Sequence, residues 1–127
     1  MSVALFALLA VMNRCERAAT QFESTRCAVE AFKVADQTLN AQYRQSLARA
    51  AKRDADAQKW AGASDGRQTY VSALRTAERS WIAFRNAHCV VEGYYGRGGT
   101  IEPMLVNFCL ARLTRDRTEQ LRNMWRR

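Results

Sequence analysis

A glycine-rich segment contains the residue types best suited to binding a partner. Residues 93–100 read GYYGRGGT, so two tyrosines and an arginine stand between glycines. Tyrosine and arginine are enriched among the residues that dominate the energy of protein interfaces. We expect a partner-binding loop formed by Tyr94, Tyr95, Arg97, Gly98 and Gly99. The alternative is an ordinary turn with an exposed pair of aromatic rings.

A second group of polar residues has the spacing of helix faces. Asp36 and Asn40 are four residues apart, as are Trp81 and Arg85, so each pair shares one face of a helix. Counted by the helical rise in an antiparallel bundle, four of the candidates lie about 18 to 25 Å from the same end: Asp36, Arg79, Trp81 and Arg117. We expect a partly buried network that fixes helix register, or alternatively a ligand-binding strip. Its members are Asp36, Asn40, Arg79, Trp81, Arg85 and Arg117.

Catalytic and metal-binding patterns are weak in this sequence. Asp54 and Asp56 are two residues apart and do not share a helix face, and Glu78 has no nucleophile or positioned base beside it. The single histidine, His88, adjoins Cys89, but neighbours in a helix point about 100° apart. No C-x-x-C motif occurs. We therefore expect a protein without enzyme activity, bound metal or cofactor.

Four cysteines in a chain of 127 residues indicate two disulfides and an oxidising compartment. They are Cys15, Cys27, Cys89 and Cys109. Residues 3–12 (VALFALLAVM) are too few to span a bilayer but match the hydrophobic part of an export signal. We expect residues 1–14 to be the remnant of a signal peptide whose basic start is missing, and the protein to be periplasmic or secreted. The alternative is a buried or partner-binding N-terminal segment.

Hydrophobic periodicity predicts three helices within one domain over residues 15–127. The first begins at the capping-box pattern of residues 20–23 (TQFE) and continues to about residue 59. The second begins near residue 65 or 66 and ends in the glycines after residue 92. The third begins at Thr100, with Pro103 in its first turn, and runs toward Trp125. The stripe predicted for the second helix contains Tyr70, Leu74, Ala77, Trp81 and Phe84 or Arg85.

Short loops between these helices favour an all-α, antiparallel three-helix bundle with a long first helix. All four cysteines then lie near one pole, and two disulfides would join the elements there. Heights of about 10, 6 and 13 Å for Cys27, Cys89 and Cys109 favour the pairs Cys27–Cys109 and Cys15–Cys89. Three connectivities remain open for four cysteines.

Two segments of the chain resemble the LprI-like lysozyme inhibitor family. They read CAVEAFKVADQTLNAQY from Cys27, and LRTAERSWIAFRNAHC up to Cys89, followed by GGT, Cys109 and TRDRTEQL. The resemblance covers roughly residues 15–121, and Asn86 stands where we would expect an acid. It implies an exported, disulfide-bonded helical protein that binds and inhibits lysozyme-type enzymes, without enzyme activity and without a cofactor.

The formal net charge of +8 bears on the partner. Half of the excess lies in residues 112–127, where six arginines face two acids. A strongly cationic lysozyme would be repelled at long range, so we expect either a less basic peptidoglycan hydrolase or a contact made by the 93–100 loop. The alternative is an envelope protein that binds anionic polymers or lipids through the Arg-rich end of the third helix. An immunity-type partner of a dedicated effector is a third hypothesis.

Overall fold

The computed structural model describes residues 3–61 and 65–126, and within these ranges the chain is helical and contains no strand. Four α-helices follow one another: α1 (Val3–Glu16), α2 (Gln21–Ala61), α3 (Tyr70–Gly93) and α4 (Glu102–Met124). A single 3₁₀ turn (Tyr94–Gly96) follows α3. The all-α class is confirmed, and α2, α3 and α4 correspond to the three predicted helices.

The helices pack into a bundle in which α2 and α4 share the most extensive contact. Two apolar clusters form the core. One, at the end where α1 joins, contains Val11, Cys27, Ala31 and Ala111. The other contains Leu39, Ala50, Leu74 and Leu121, with Trp81 and Trp125 packed against it. Both clusters contain residues of α2 and α4, so the contact between these two helices forms the centre of the bundle.

The start of α2 is fixed by the predicted capping residues. The hydroxyl of Thr20 accepts a hydrogen bond from the backbone N–H of Glu23 at 3.1 Å. The Glu23 carboxylate accepts one from the N–H of Ala19 at 2.8 Å. These side chains satisfy N–H groups that a helix start leaves without partners.

The start of α3 lies several residues later than predicted. Asp65 uses its carboxylate to accept hydrogen bonds from the backbone and side chain of Arg67 in a local turn, so it caps no helix. Thr69 is the N-cap instead, and its hydroxyl accepts from Ser72 N–H. The sequence pattern at residues 65–68 was misleading because an aspartate can stabilise a turn in the same way that it caps a helix.

A side chain of α2 completes this cap from outside the helix. The Asp54 carboxylate accepts hydrogen bonds from the backbone N–H groups of Tyr70 at 2.7 Å and Val71 at 3.1 Å. An anion at a helix N-terminus also interacts favourably with the helix dipole. Asp54 therefore fixes where α3 begins relative to α2.

The buried face of α3 also differs from the predicted stripe. Its buried residues are Leu74, Glu78, Arg85, Cys89 and Gly93. Tyr70, Ala77 and Phe84 are exposed instead. The prediction placed apolar residues inside, but the interior of this helix accepts a glutamate and an arginine because both find partners on neighbouring helices.

The disulfides join Cys15 to Cys27 and Cys89 to Cys109, with Cα–Cα distances of 5.3 and 5.5 Å. The pairing favoured from the sequence was wrong. Height along the bundle axis does not say which helices face each other at that height. Here α1 turns back onto α2, which brings Cys15 against Cys27, and the antiparallel pair α3 and α4 brings Cys89 against Cys109.

Helix α1 packs on α2 and buries Val11 against Cys27 and Ala31. Its outward residues Val3, Leu5, Phe6 and Leu9 are exposed. Among the described residues, no helix has both the length and the apolar character that crossing a membrane requires. The interpretation of residues 1–14 as an export-signal remnant stays a prediction.

The disulfide pairing can be read from peptides of the unreduced protein. The relevant trypsin cleavage sites follow Arg14, Arg17, Arg26 and Lys33 in the first half of the chain and Arg85, Arg97 and Arg112 in the second. We expect mass spectrometry to find residues 15–17 linked to residues 27–33, and residues 86–97 linked to residues 98–112. A linkage between residues 27–33 and 98–112 would contradict the structure.

Candidate functional site: a buried arginine network and an exposed loop

Arg85 lies at the centre of the helix packing. Its side chain is 9% exposed. Nη1 donates a hydrogen bond to the Thr114 hydroxyl at 3.3 Å and lies 3.8 Å from Oδ1 of Asp36. Nε and Nη2 both donate to Oδ1 of Asn86, at 3.1 and 3.0 Å. The arginine thus has partners on α2, α3 and α4 at once.

The guanidinium of Arg85 also lies against two aromatic rings. Its Cζ atom is 5.1 Å from the centroid of Phe32 on α2 and 5.1 Å from that of Trp81 on α3. A cation over a ring face is attracted by the ring quadrupole, and more strongly where water is excluded. Burial lowers the pKa of the Arg85 guanidinium, while the charges of Asp36 and Glu78 raise it.

A second buried ion pair joins α3 to α4. Nε of Arg117 donates to Oε2 of Glu78 at 3.1 Å, and the two side chains are only 11% and 7% exposed. Arg117 also donates to Gln120 at 3.2 Å and lies 5.8 Å from the Trp81 ring. Its Nη2 is buried and has no hydrogen-bond partner among the described residues. Trp81 therefore contacts both buried guanidinium groups.

The structure brings together most of the predicted network residues, in a different pairing. Asp36 meets Arg85, and Asn40 lies 3.5 Å from the Asp36 carboxylate. Arg117 pairs with Glu78 instead of Asp36. The expected role of Arg79 was wrong: it is exposed and contributes none of these contacts. One residue after Glu78, it points about 100° away from the buried face.

Several members of the network were missed from the sequence. Glu78 was considered only as an acid catalyst, and neither Phe32 nor Thr114 was expected in the network. The signal was present in α3, where Leu74, Glu78, Trp81, Arg85 and Cys89 follow one another at intervals of four, three, four and four residues. That spacing marks one helix face. Because Glu78 and Arg85 are charged, the sequence did not identify this face as the buried one.

Asn86 takes the position where the family pattern suggested an acid. Its side-chain oxygen accepts two hydrogen bonds from Arg85, which is what an acid would do there. It supplies the acceptor but no charge. The negative charge nearest to Arg85 is therefore that of Asp36, whose side chain is 44% exposed.

The 93–100 loop is held in place by close packing. A Cβ atom at Gly93 would collide with the Val106 side chain, and one at Gly96 with that of Ile101. Gly98 has a φ of +78°, which favours glycine, and its N–H donates to the Glu102 carboxylate at 2.9 Å. The loop is thus fixed against the first turn of α4.

The predicted binding residues of this loop lie at its surface. Tyr95 is 91% exposed and Tyr94 about half exposed. Arg97 is exposed and its guanidinium lies 4.4 Å from the Tyr94 ring centroid. Gly98 and Gly99 are exposed beside them. Among the residues that the structure describes, Arg97 has no carboxylate partner.

An exposed row on α3 leads into the loop. Phe84, His88, Val91 and Tyr95 follow at intervals of four, three and four residues, and therefore share one side of the chain's helical path. Phe84 is 57% exposed and Val91 68%. The rings of Phe84 and His88 lie 5.3 Å apart. This row, which we call the α3 row, adds an apolar strip to the loop surface.

One group of side chains has the composition of a metal site. The ligand atoms of His88, Glu92 and Cys109 lie within 4.8 Å of one another. However, the Cys109 sulfur is bonded to Cys89 and offers no thiolate. The Glu92 carboxylate accepts a hydrogen bond from Arg112 at 2.6 Å. In this state the group is an ion-pair cluster beside a disulfide.

The fold and this arrangement define a small α-helical protein that is held together by disulfides and a buried arginine network and presents an aromatic loop. The chain belongs to the lysozyme inhibitor LprI family, whose sequence model matches residues 12–121. The resemblance found in the sequence is thereby confirmed.

A relative in Rhizobium meliloti (strain 1021) is an uncharacterised protein. It is 37% identical over 110 residues, which covers 87% of this chain and 77% of the relative. No solved structure matches the chain.

The two ion pairs of the network should differ strongly in their contribution to stability. Replacing Glu78 by Gln leaves the buried Arg117 charge without a counter-charge, and we expect the free energy of unfolding to fall by about 3 kcal/mol. Replacing Asp36 by Asn removes an interaction over 3.8 Å with a half-exposed carboxylate, while Arg85 keeps its hydrogen bonds to Asn86 and Thr114. The loss should therefore be smaller, at about 1 kcal/mol. Urea unfolding followed by circular dichroism measures both values. Equal losses in the two variants would contradict this assignment.

Proposed function

We propose that this protein inhibits a lysozyme-type peptidoglycan hydrolase by binding it through the 93–100 loop and the α3 row. The observation that carries the proposal is the highly exposed Tyr95 ring on a loop that glycine packing and a hydrogen bond hold in place. An ordered loop loses little conformational entropy on binding, so more of the contact energy appears as affinity. Family membership supports an inhibitor of lysozyme as the class of protein.

Arg97 supplies the group that suits the cleft of such an enzyme. Glycoside hydrolases of the common type carry two carboxyl groups that flank the bond to be cleaved. A guanidinium makes charge-assisted, often bidentate hydrogen bonds to a carboxylate. Arg97 is exposed and contacts the Tyr94 ring without a carboxylate partner in the described chain. It can therefore pair with a cleft carboxylate without breaking an ion pair of its own.

The composition of this surface addresses the problem of the net charge. The α3 row contains Phe84, His88, Val91 and Tyr95 and no lysine, arginine, aspartate or glutamate. Binding would then depend on apolar contact more than on long-range attraction. A protein of net charge +8 can therefore bind a basic enzyme through apolar contacts. Its association rate constant would be lower than that of two oppositely charged proteins.

We also propose that the protein acts in the periplasm or outside the cell, by binding and not by catalysis. Two disulfides in a short chain support an oxidising compartment. The proposed surface needs only contact area and a cation to block a cleft. It requires neither a metal nor a cofactor.

Loss of cell-wall turbidity measures the activity of the hydrolase with and without the protein. We expect inhibition by the wild type, and an inhibition constant at least about tenfold weaker for Tyr95→Ala and for Arg97→Gln, as for residues that dominate an interface. The matched controls are Tyr70→Ala and Arg79→Gln, which remove the same residue types from exposed positions on α3. They should change the constant by less than about twofold.

Two results would contradict the proposal in different ways. Unchanged lysis at a micromolar excess of protein over several lysozyme-type enzymes would refute inhibition itself. Inhibition that survives in both loop variants would keep the inhibitor function but exclude the 93–100 loop as its site. Circular dichroism of each variant checks that the helices remain intact.

A further inference from the structure

Three of the four arginines of α4 are held in ion pairs. Arg112 donates to Glu92, Arg117 to Glu78 and Arg122 to Glu119. Each of these charges is compensated within the protein. Arg115 and Arg126 form no ion pair within the described part of the chain, so only part of the basic charge at this end is free to attract a polyanion.

Uncompensated basic residues gather on α2 instead, beside the end of α4. Arg49, Lys52 and Arg53 are exposed and form no ion pair within the described part of the chain. Together with Asp56 and Trp125 they line a cleft of about 390 Å³. Three cations and one acid leave this lining with a net charge of +2.

The cleft has a fixed wall and a linear arrangement of charge. Trp125 is packed against the core cluster of Leu39, Ala50 and Leu121, so its ring holds the end of α4 against α2. Arg49 and Arg53 are one helical turn apart, about 6 Å along the axis. Lys52 lies next to them on the same side, since positions three and four apart share a face. The three cations therefore lie along one side of α2, over about one helical turn.

We propose that this cleft binds phosphate groups carried on a linear polyanion. Arginine and lysine are the side chains that bind phosphate oxygens, arginine through two parallel hydrogen bonds and lysine as a point charge. A row of cations on one helix face suits successive charges along a polymer better than a single ion. The cleft lies at the far end of α4 from the 93–100 loop, so that this binding is separate from inhibition of a hydrolase.

Binding of a short, fluorescently labelled linear polyphosphate tests the proposal on the full chain, through fluorescence anisotropy at increasing salt. We expect the triple variant Arg49→Gln, Lys52→Gln, Arg53→Gln to bind at least about tenfold more weakly than the wild type. The slope of log affinity against log salt should become shallower by about two to three.

A matched triple variant separates this site from the overall charge. Arg26→Gln, Lys33→Gln and Arg79→Gln remove three exposed cations outside the cleft. We expect this control to change the affinity by less than about threefold. An equal loss in the two triple variants would overturn the proposal, because the attraction would then come from net charge alone.

Two competitors identify the source of the phosphate. Inorganic phosphate at the same concentration of phosphate groups should not displace the labelled polymer, and displacement would overturn the assignment of a polymer. Vesicles that contain phosphatidylglycerol report on a lipid surface. Binding to those vesicles without binding to polyphosphate would also overturn the proposal. The cleft variants should inhibit the hydrolase as the wild type does, which distinguishes failure here from failure of the proposed function.

Discussion

The burial of the Arg85 guanidinium is the constraint on which the helix packing depends. Removing a charge from water costs several kcal/mol unless hydrogen bonds and an opposite charge replace the lost solvation. Here the replacements come from Asp36 on α2, Asn86 on α3 and Thr114 on α4. All of them reach the guanidinium only when the three helices have one particular register. A shifted helix would leave a buried cation without partners, so the arginine selects the observed packing over alternatives.

The same constraint extends along α3 to the surface. Trp81 contacts both Arg85 and Arg117, so the two buried guanidinium groups pack against the same ring. One turn beyond Arg85, Cys89 binds covalently to Cys109 and fixes the end of α3 against α4. The 93–100 loop begins directly after this bond and is closed by contacts with the first turn of α4. The disulfide and these contacts together fix the backbone of the loop relative to α3 and α4.

Charge and apolar contact are separated along the molecule. The α3 row and the loop occupy one end of α4, and the cleft around Arg49, Lys52 and Arg53 adjoins the other. Three arginines of α4 form ion pairs with glutamates, which neutralise much of the positive charge of this helix: Arg112, Arg117 and Arg122. The proposed hydrolase-binding surface thus carries Arg97 as its one lysine or arginine, although the net charge of the protein is +8. The proposed hydrolase-binding surface and the proposed phosphate-binding cleft have no residue in common.

The sequence by itself determined the all-α class, the three main helices and the family, because helical periodicity, the capping box at residues 20–23 and the spacing around Asp36 and Trp81 are local patterns. It also identified Tyr94, Tyr95 and Arg97 as surface candidates from their setting among glycines. The tertiary structure decided what depends on which helices face each other: the pairs Cys15–Cys27 and Cys89–Cys109, the partner of Arg117, the cap that Asp54 gives to α3, and the cleft between α2 and Trp125. Position along an axis can be counted in residues, but the rotation of one helix about its axis relative to another is set by packing. From the sequence alone, charged residues such as Glu78 and Arg85 are assigned to the surface, because their partners on other helices are not yet known.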